Sequence, residues 1–261
     1  MRVNLIATAA IVAILSFPHP LIAGNPQDFR TLIETSSCPG CDLSGATLND
    51  LNLQSINLER ANLRRANFSR SKLGAANLKD AMLESASFNS ADLNQANLSG
   101  AILNSAFLDN AILSNANLRG TELRSASLQR VFLDDADLSG AKLTRATLTS
   151  ALMTNAILQN ATLGNANLSN ANLRNANLSG ATLAHANLRD TDLRGANLSH
   201  ADFTNTILTG ADLSGANLTG ANIFSTYLGD VNLCGATMPN GIVWERGCPV
   251  EENPVEENTG E

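Results

Sequence analysis

The sequence predicts an all-β solenoid, a chain that coils on itself around one long core. From residue 43 to residue 238, every fifth residue is Leu, Phe, Ile or Met through forty consecutive units, without an insertion. A helix buries residues at a period of 3.6 and a flat strand at a period of 2, so neither explains a period of five. The chain also has only eight Phe, one Trp and one Tyr, whereas a conventional core of this size would use more large aromatic side chains.

Each five-residue unit has a second inward position, two residues before the large one. This position is Ala in 30 of the 40 units and small or apolar in the others. Such a unit buries its apolar side if the chain turns after every unit, and a right-angle turn closes a square coil in four units. Coils stacked at the strand spacing of about 4.8 Å then pair their backbone N–H and C=O groups with the coils above and below.

The units match the motif A(D/N)LXX, and on this motif the sequence resembles the pentapeptide-repeat family. The stretches ANLSN at 166–170 and ADLSG at 211–215 match it fully. The resemblance covers residues 41–240 and implies a right-handed quadrilateral β-helix of about ten coils of 20 residues. Ten coils at the strand spacing give a rod about 48 Å long. We expect this solenoid to be one domain without an internal boundary.

Residues 1–23 are interpreted as a secretory signal peptide. Arg2 gives a positive start, residues 5–17 are apolar but too short to span a bilayer comfortably, and Ala23 precedes a plausible cleavage point. An uncleaved membrane anchor is the alternative. The mature chain would be exported and have no membrane segment. The exported start, the CPGC entry at 38–41 and the ending LCGATMPNG…GC from 233 to 248 resemble exported cyanobacterial members of the family, which implies the periplasm or the thylakoid lumen.

Both ends of the solenoid are expected to be capped, because an exposed coil edge invites pairing with other chains. An N-terminal cap at 24–40 is predicted to contain a short helix over 26–35. A C-terminal cap at 241–250 is predicted to cover the last coil with Met238, Ile242, Val243 and Trp244. Residues 251–261 contain five acids and no aromatic residue, which predicts a disordered acidic tail.

Four cysteines in an exported chain favour disulfides. Four cysteines allow three connectivities, and proximity favours Cys38–Cys41 and Cys234–Cys248. The second pair would close a loop of about 15 residues, for which the chain-entropy model gives about 3 kcal/mol. The first pair forms a C-x-x-C motif, so a thiol-redox protein is an alternative function. Redox-active motifs of this type usually begin a helix within a βαβ unit, which favours a structural disulfide here.

We expect no catalytic, cofactor-binding or metal site, and so no enzyme. His185 and His200 have no Cys or carboxylate pair at metal-ligand spacing and are interpreted as solvent-exposed variants of the repeat. The sequence has no Walker loop, nucleophile elbow or zinc-ligand spacing. Its many serines have no plausible base beside them.

The charge distribution argues against nucleic-acid binding and against nucleic-acid mimicry. Some members of the family resemble a DNA duplex and bind type II topoisomerases, which requires a strongly acidic surface. Residues 41–240 carry 14 basic and 16 acidic side chains, and the signal peptide also disfavours a cytoplasmic partner. Six early basic residues are spread over all four walls, so they form no phosphate-binding surface: Arg60, Arg64, Arg65, Arg70, Lys72 and Lys79.

One surface feature exceeds the background of the repeat. The residue before each large position is normally polar, yet Ile112, Phe132 and Leu152 occupy this position at intervals of 20 residues. They should therefore stack on one wall, and Phe107 on a neighbouring wall extends the stripe. Exposed apolar patches often mark contact surfaces, although scattered apolar surface residues are normal. The sequence thus predicts a non-catalytic interaction rod that binds an unknown protein partner or a second copy of itself.

Overall fold

The computed structural model describes residues 24–245 and residue 248. The predicted signal peptide at 1–23 and the predicted tail at 251–261 lie outside the described residues, as does part of the predicted C-terminal cap. Within the described part, one helix, α1 (Pro26–Thr35), precedes a stack of 20-residue coils. In that part, no helix has both the length and the apolar character needed to cross a bilayer.

Each coil has four sides, and each side is one five-residue unit. A parallel bridge joins the second residue of a unit to the residue 20 positions later, as in Thr147↔Asn167. Beside this bridge, the N–H of Asn167 donates to the C=O of Ala146 (2.9 Å), and the N–H of Leu148 donates to the C=O of Asn167 (2.6 Å). The backbone groups of each coil are thereby satisfied by its neighbours.

The β-structure consists of single-residue bridges rather than extended strands. Turns occupy the last two residues of each unit, and the second residue alone forms the bridge. Bridges repeat from Ser37↔Asn57 to Asn217↔Thr237. No stretch of residues 24–245 is paired as a longer strand, because the chain turns a corner before a second bridge can form. The prediction of an all-β chain therefore applies to backbone pairing and not to strand length.

The corner of each unit is a β-turn that ends in a left-handed residue. The N–H of Ala46 donates to the C=O of Leu43 (3.0 Å), and Gly45 between them has φ +65°. A positive φ at the second central position is typical of type II turns, which favour Gly and Asn there. This explains why the fifth position of the unit is rich in Gly, Asn, Asp and Ser.

The core is a continuous column of Leu walled by Ala. Leu118, Leu138 and Leu158 are each fully buried, and the bridges of the residues before them place all three on one wall. Phe68 and Phe88 replace Leu in consecutive coils, and their rings stack with centroids 4.9 Å apart. Four small positions carry a buried hydroxyl, and each donates to a backbone carbonyl, which offsets the cost of burying it: Ser71, Thr121, Thr191 and Thr206.

The helix α1 packs on the first coil. Asn25 caps its N-terminus by accepting from the N–H of Gln27, and Pro26 occupies the first turn, where its missing N–H is not needed. Phe29 and Leu32 are buried in the same core as the Leu column. The Asp28 carboxylate also accepts a hydrogen bond from the N–H of Asp42 (2.8 Å), which ties the helix to the first coil.

The C-terminal end of the solenoid is covered by a short hairpin. After Met238 the chain reverses, and Val243 forms an antiparallel bridge with Thr237. This hairpin covers the backbone edge of the last coil, since the N–H of Trp244 donates to the C=O of Ala236 (2.7 Å). The side chains of Ile242, Val243 and Trp244 remain exposed, and Met238 is partly buried. Met238 packs against the buried core, whereas the residues after it pair with the last coil through their backbone. Because part of 241–250 lies outside the described residues, the cap as a whole stays a prediction.

Candidate functional site

The apolar stripe, defined here as Ile112, Phe132 and Leu152, lies on one wall of the solenoid. These residues occupy the bridging position of three consecutive coils, with bridges Ile112↔Phe132 and Phe132↔Leu152. Their exposures are 41%, 39% and 37%. The same ladder continues to Asp92 on one side and Asn172 on the other, so polar residues bound the stripe at both ends.

Two further apolar side chains flank the stripe on the neighbouring walls. Phe107, 49% exposed, precedes Ile112 by one unit, and Ile157, 38% exposed, follows Leu152 by one unit. The apolar surface therefore crosses the stripe wall diagonally. Sequence reasoning included Phe107 but missed Ile157, which was detectable because it occupies the same slot of the repeat.

The wall that contains Ile157 carries Asn at most of its other bridging positions, with Asp137 and Thr237 among the exceptions. Asn77 donates from Nδ2 to Oδ1 of Asn57 (3.0 Å), and Asn97 donates to Asn77 (3.4 Å). Asn197 and Asn177 are paired in the same way (3.3 Å). Such stacked amides link successive coils and stabilise the rod. Several side chains on this wall are thus hydrogen-bonded to one another, whereas the side chains of the apolar stripe have no polar groups.

Half of the charged side chains of residues 41–240 are ion-paired with one another. Arg64 pairs with Glu84 (3.1 Å), Arg70 with Asp50 (2.6 Å), and Lys142 with Glu122 (2.8 Å). Each of these pairs joins residues 20 positions apart, that is, on adjacent coils. Three of the six early basic residues are ion-paired, since Arg60 also lies 3.9 Å from the carboxylates of Glu59 and Asp80, in keeping with a solvated surface rather than a phosphate-binding patch.

The four cysteines lie at the two ends of the solenoid. The structure joins Cys38 to Cys41 and Cys234 to Cys248. Cys38 is buried at the junction between α1 and the first coil, and Cys41 is partly buried. Cys234 lies in the turn that precedes the terminal hairpin, so the second disulfide fastens the end of the described chain to the last coil.

The histidines occupy turn positions on different corners. His185 and His200 both have the positive φ of the fifth residue of a unit, at 61° and 57°, and both are exposed. No group of three or more His, Cys, Asp or Glu among the described residues is placed to hold a metal ion. The turn position accounts for both histidines, since His is among the residues that adopt a left-handed backbone conformation more often than most.

A second apolar region lies near the C-terminal end and was missed by sequence reasoning. Ile207, Phe224 and Tyr227 are exposed there. The bridge expected between Ile207 and Tyr227 is absent, although bridges continue on the other walls. The last coil is therefore less regular than the middle of the rod, where the apolar stripe lies.

Comparison with known proteins places the repeats in a recognised group. Eight stretches between residues 41 and 240, with only 131 and 132 left between them, match the description "Pentapeptide repeats". HetL, a pentapeptide repeat protein involved in heterocyst differentiation regulation from the cyanobacterium Nostoc sp. strain PCC 7120, is 35% identical. Its match covers 77% of this chain and 90% of HetL, with a TM-score of 0.38. No curated protein sequence matches the chain.

Two other solved structures are similar to parts of the chain. A pentapeptide repeat protein from the Arabidopsis thaliana thylakoid lumen is 30% identical over 38% of this chain and 65% of its own, with a TM-score of 0.24. QnrB1, a plasmid-mediated fluoroquinolone resistance protein, is 18% identical over 61% of this chain and 76% of its own, with a TM-score of 0.44.

Proposed function

This chain belongs to the pentapeptide-repeat family, and from that premise we propose that it is a non-catalytic, extracytoplasmic rod that binds another protein through the apolar stripe. The observation that carries this proposal is the bounded row of Ile112, Phe132 and Leu152. Each is more than one-third exposed on a wall whose other bridging positions are polar. An isolated apolar residue at the surface needs no explanation, but three in register on consecutive coils form a surface that excludes water efficiently when covered.

Export is supported by the sequence before residue 24 and by the cysteines. An apolar stretch of signal-peptide length precedes the solenoid, and all four cysteines are paired. Structural disulfides persist in oxidising compartments and are rare in the cytosol. The proposed location is the periplasm or the thylakoid lumen.

Two alternatives are less well supported. A DNA mimic needs an acidic wall, whereas residues 41–240 carry 14 basic and 16 acidic side chains, several of them in ion pairs across coils. A redox-active C-x-x-C motif usually begins a helix, which lowers its thiol pKa, whereas Cys38 is buried and the motif follows the end of α1 at Thr35.

The test is a pull-down from the compartment in which a tagged protein fractionates. The variant Phe132→Asp with Leu152→Asp should lose a partner that the wild type captures, because two charges replace the apolar contact. The matched control, Asn172→Asp with Asn232→Asp, adds two charges to the same wall outside the stripe and should retain that partner. If the stripe variant keeps every interaction and the same oligomeric state, while circular dichroism shows it folded, the proposal is refuted.

A further inference from the structure

Resting on the proposed function, we infer that the partner presents a basic amphipathic α-helix. Its apolar side lies along the stripe, and its Lys and Arg side chains face the carboxylates beside the stripe. The inference draws on three features of the described surface: the sign of the charges around the stripe, the absence of ion pairs among them, and the spacing of the apolar side chains.

Four carboxylates border the stripe. Asp92 precedes Ile112 in the same ladder, Asp109 lies at the corner before Ile112, and Asp134 and Asp135 form the corner after Phe132. Across the four coils from residue 89 to residue 155, the stripe wall and its two corners hold these four acids and one base, Arg130. This border is therefore acidic on a rod that is otherwise nearly neutral.

The border carboxylates hydrogen-bond to neutral groups only. Asp109 accepts from the hydroxyl of Ser127 (2.6 Å), and Asp134 accepts from the N–H of Thr154 (3.0 Å). Asp135 accepts from the side-chain amide of Asn155 (3.1 Å).

Arg130, the one nearby cation, donates to the amide oxygen of Asn110 (2.9 Å) instead of to a carboxylate. Among residues 24–245, no ion pair includes a residue of the stripe or one of the four border carboxylates. The nearest pairs are Arg119–Asp137 on the adjacent wall and Arg194–Asp192, two coils beyond Leu152 on the stripe wall. Four uncompensated carboxylates around an apolar row are complementary to a partner with the opposite charge.

The spacing of the stripe fits a helix better than a strand. Three side chains on consecutive coils span two steps of about 4.8 Å, or about 9.6 Å. Residues i and i+7 of an α-helix are about 10.5 Å apart, with i+3 or i+4 between them on the same face. Residues i, i+2 and i+4 of a strand span about 13 Å. A helix laid along the rod axis can therefore place one apolar residue over each side chain of the stripe.

The border carboxylates disfavour other candidate partners for this surface. A second copy that used the same stripe about a twofold axis would bring two acidic borders together, which is repulsive. Nucleic acids and anionic lipid surfaces carry the same sign of charge as this border. A partner with a row of apolar side chains flanked by Lys or Arg would cover the stripe and attract the border carboxylates instead of repelling them.

The test measures fluorescence anisotropy of labelled 15-residue helical peptides with the full-length protein. The probe has Leu at i, i+4, i+7 and i+11 with Lys on its flanks, and two reference peptides replace Lys by Glu or scramble the order. We expect the Lys peptide to bind most tightly, with affinity that falls as salt is added. Phe132→Asp with Leu152→Asp should weaken it about ten-fold or more.

The border is tested separately from the stripe. Asp134→Asn with Asp135→Asn should weaken the Lys peptide about five-fold, without affecting thermal unfolding. The matched control, Asp190→Asn with Asp230→Asn, removes two carboxylates that are also unpaired in the described structure but lie two or more coils beyond Leu152. This control should bind the peptide like the wild type.

The outcomes separate this inference from the proposed function. If the Glu peptide binds as tightly as the Lys peptide, or if the border variant binds normally, the helix partner is not basic and the inference is overturned. Capture of a partner in the pull-down that still depends on Phe132 and Leu152 would leave the proposed function standing. Sedimentation that shows a stripe-dependent dimer, with no peptide binding, would also overturn the inference in favour of a second copy.

Discussion

At the scale of the residue, the five positions of the unit have distinct physical requirements. The large position is fully buried in the middle of the rod, so it must be apolar and close to the volume of Leu. The small position lets neighbouring walls approach, and it accepts Ser or Thr because a carbonyl is within reach of the hydroxyl. The bridging position points outward, where Asn or Asp accepts from the N–H two residues later, as Asn167 does from Ser169, and where an apolar side chain is left exposed.

These requirements predict different costs for the same substitution at two leucines. Leu138→Ala should lower the free energy of unfolding by about 3 kcal/mol, because the rigid column cannot collapse into the space left behind. Leu152→Ala should change it by less than about 0.5 kcal/mol, since the side chain is exposed. Urea denaturation followed by circular dichroism measures both. Similar costs at the two sites would show that the column is not the source of stability.

At the scale of the element, successive coils are joined by side chains 20 residues apart. Glu122 is the centre of the most connected group, since it accepts from Lys142 on the next coil (2.8 Å), from Asn104 and from Arg124. The hydrogen bond from Lys142, followed by those from Asn104 and Arg124, lowers the pKa of Glu122 to about 2. These contacts stabilise the carboxylate in the folded coil relative to the unfolded chain.

This pKa predicts a specific dependence of stability on pH. An unfolded glutamate has a pKa of about 4.3, so the folded value is depressed. The contribution is therefore fully present above about pH 4.3 and is lost as the pH falls towards 2. Glu122→Gln should destabilise the protein at pH 6 and have progressively less effect between pH 4.3 and pH 2, measured by urea unfolding. Lys142→Gln removes the largest cause of the lowered pKa of Glu122. This variant should therefore show a weaker dependence of stability on pH between pH 4.3 and pH 2.

At the scale of the whole molecule, the solenoid converts a distance of 20 residues in sequence into direct contact. Which wall a residue lies on therefore depends on its position in the 20-residue coil and not on its local sequence. Inserting one unit keeps every Leu inward but moves all later residues to the next wall. The apolar stripe exists only because Ile112, Phe132 and Leu152 are in register.

An insertion experiment tests this dependence on register. Adding ANLSN after Arg145 would place Thr147 instead of Leu152 next to Phe132, and so shorten the stripe. Adding the same unit after Asn170 leaves the stripe intact. We expect the two proteins to have similar thermal unfolding midpoints, and only the first to lose partner capture. Equal capture by both insertions would mean that the stripe is not the binding surface.

Much of the fold and part of the candidate surface were predictable from the sequence. The burial register, the range 26–35 of the first helix and the stacking of Ile112, Phe132 and Leu152 follow from which residues are apolar and how far apart they are. These quantities can be read directly from a regular repeat, because every unit has the same conformation and each wall repeats after four units.

The tertiary structure alone decided the features that depend on contacts between different parts of the chain. It showed that Asp134 and Asp135 form no ion pair within the described residues. The sequence could not predict this, because an ion pair requires two side chains to meet across coils. It also showed that the segment after Met238 pairs through its backbone and leaves Ile242 and Val243 exposed, since apolar composition does not specify which group of a residue meets the coil edge. The sequence by itself determined which residues lie inside the rod, and the packing of neighbouring coils determined which outer residues remain available to a partner.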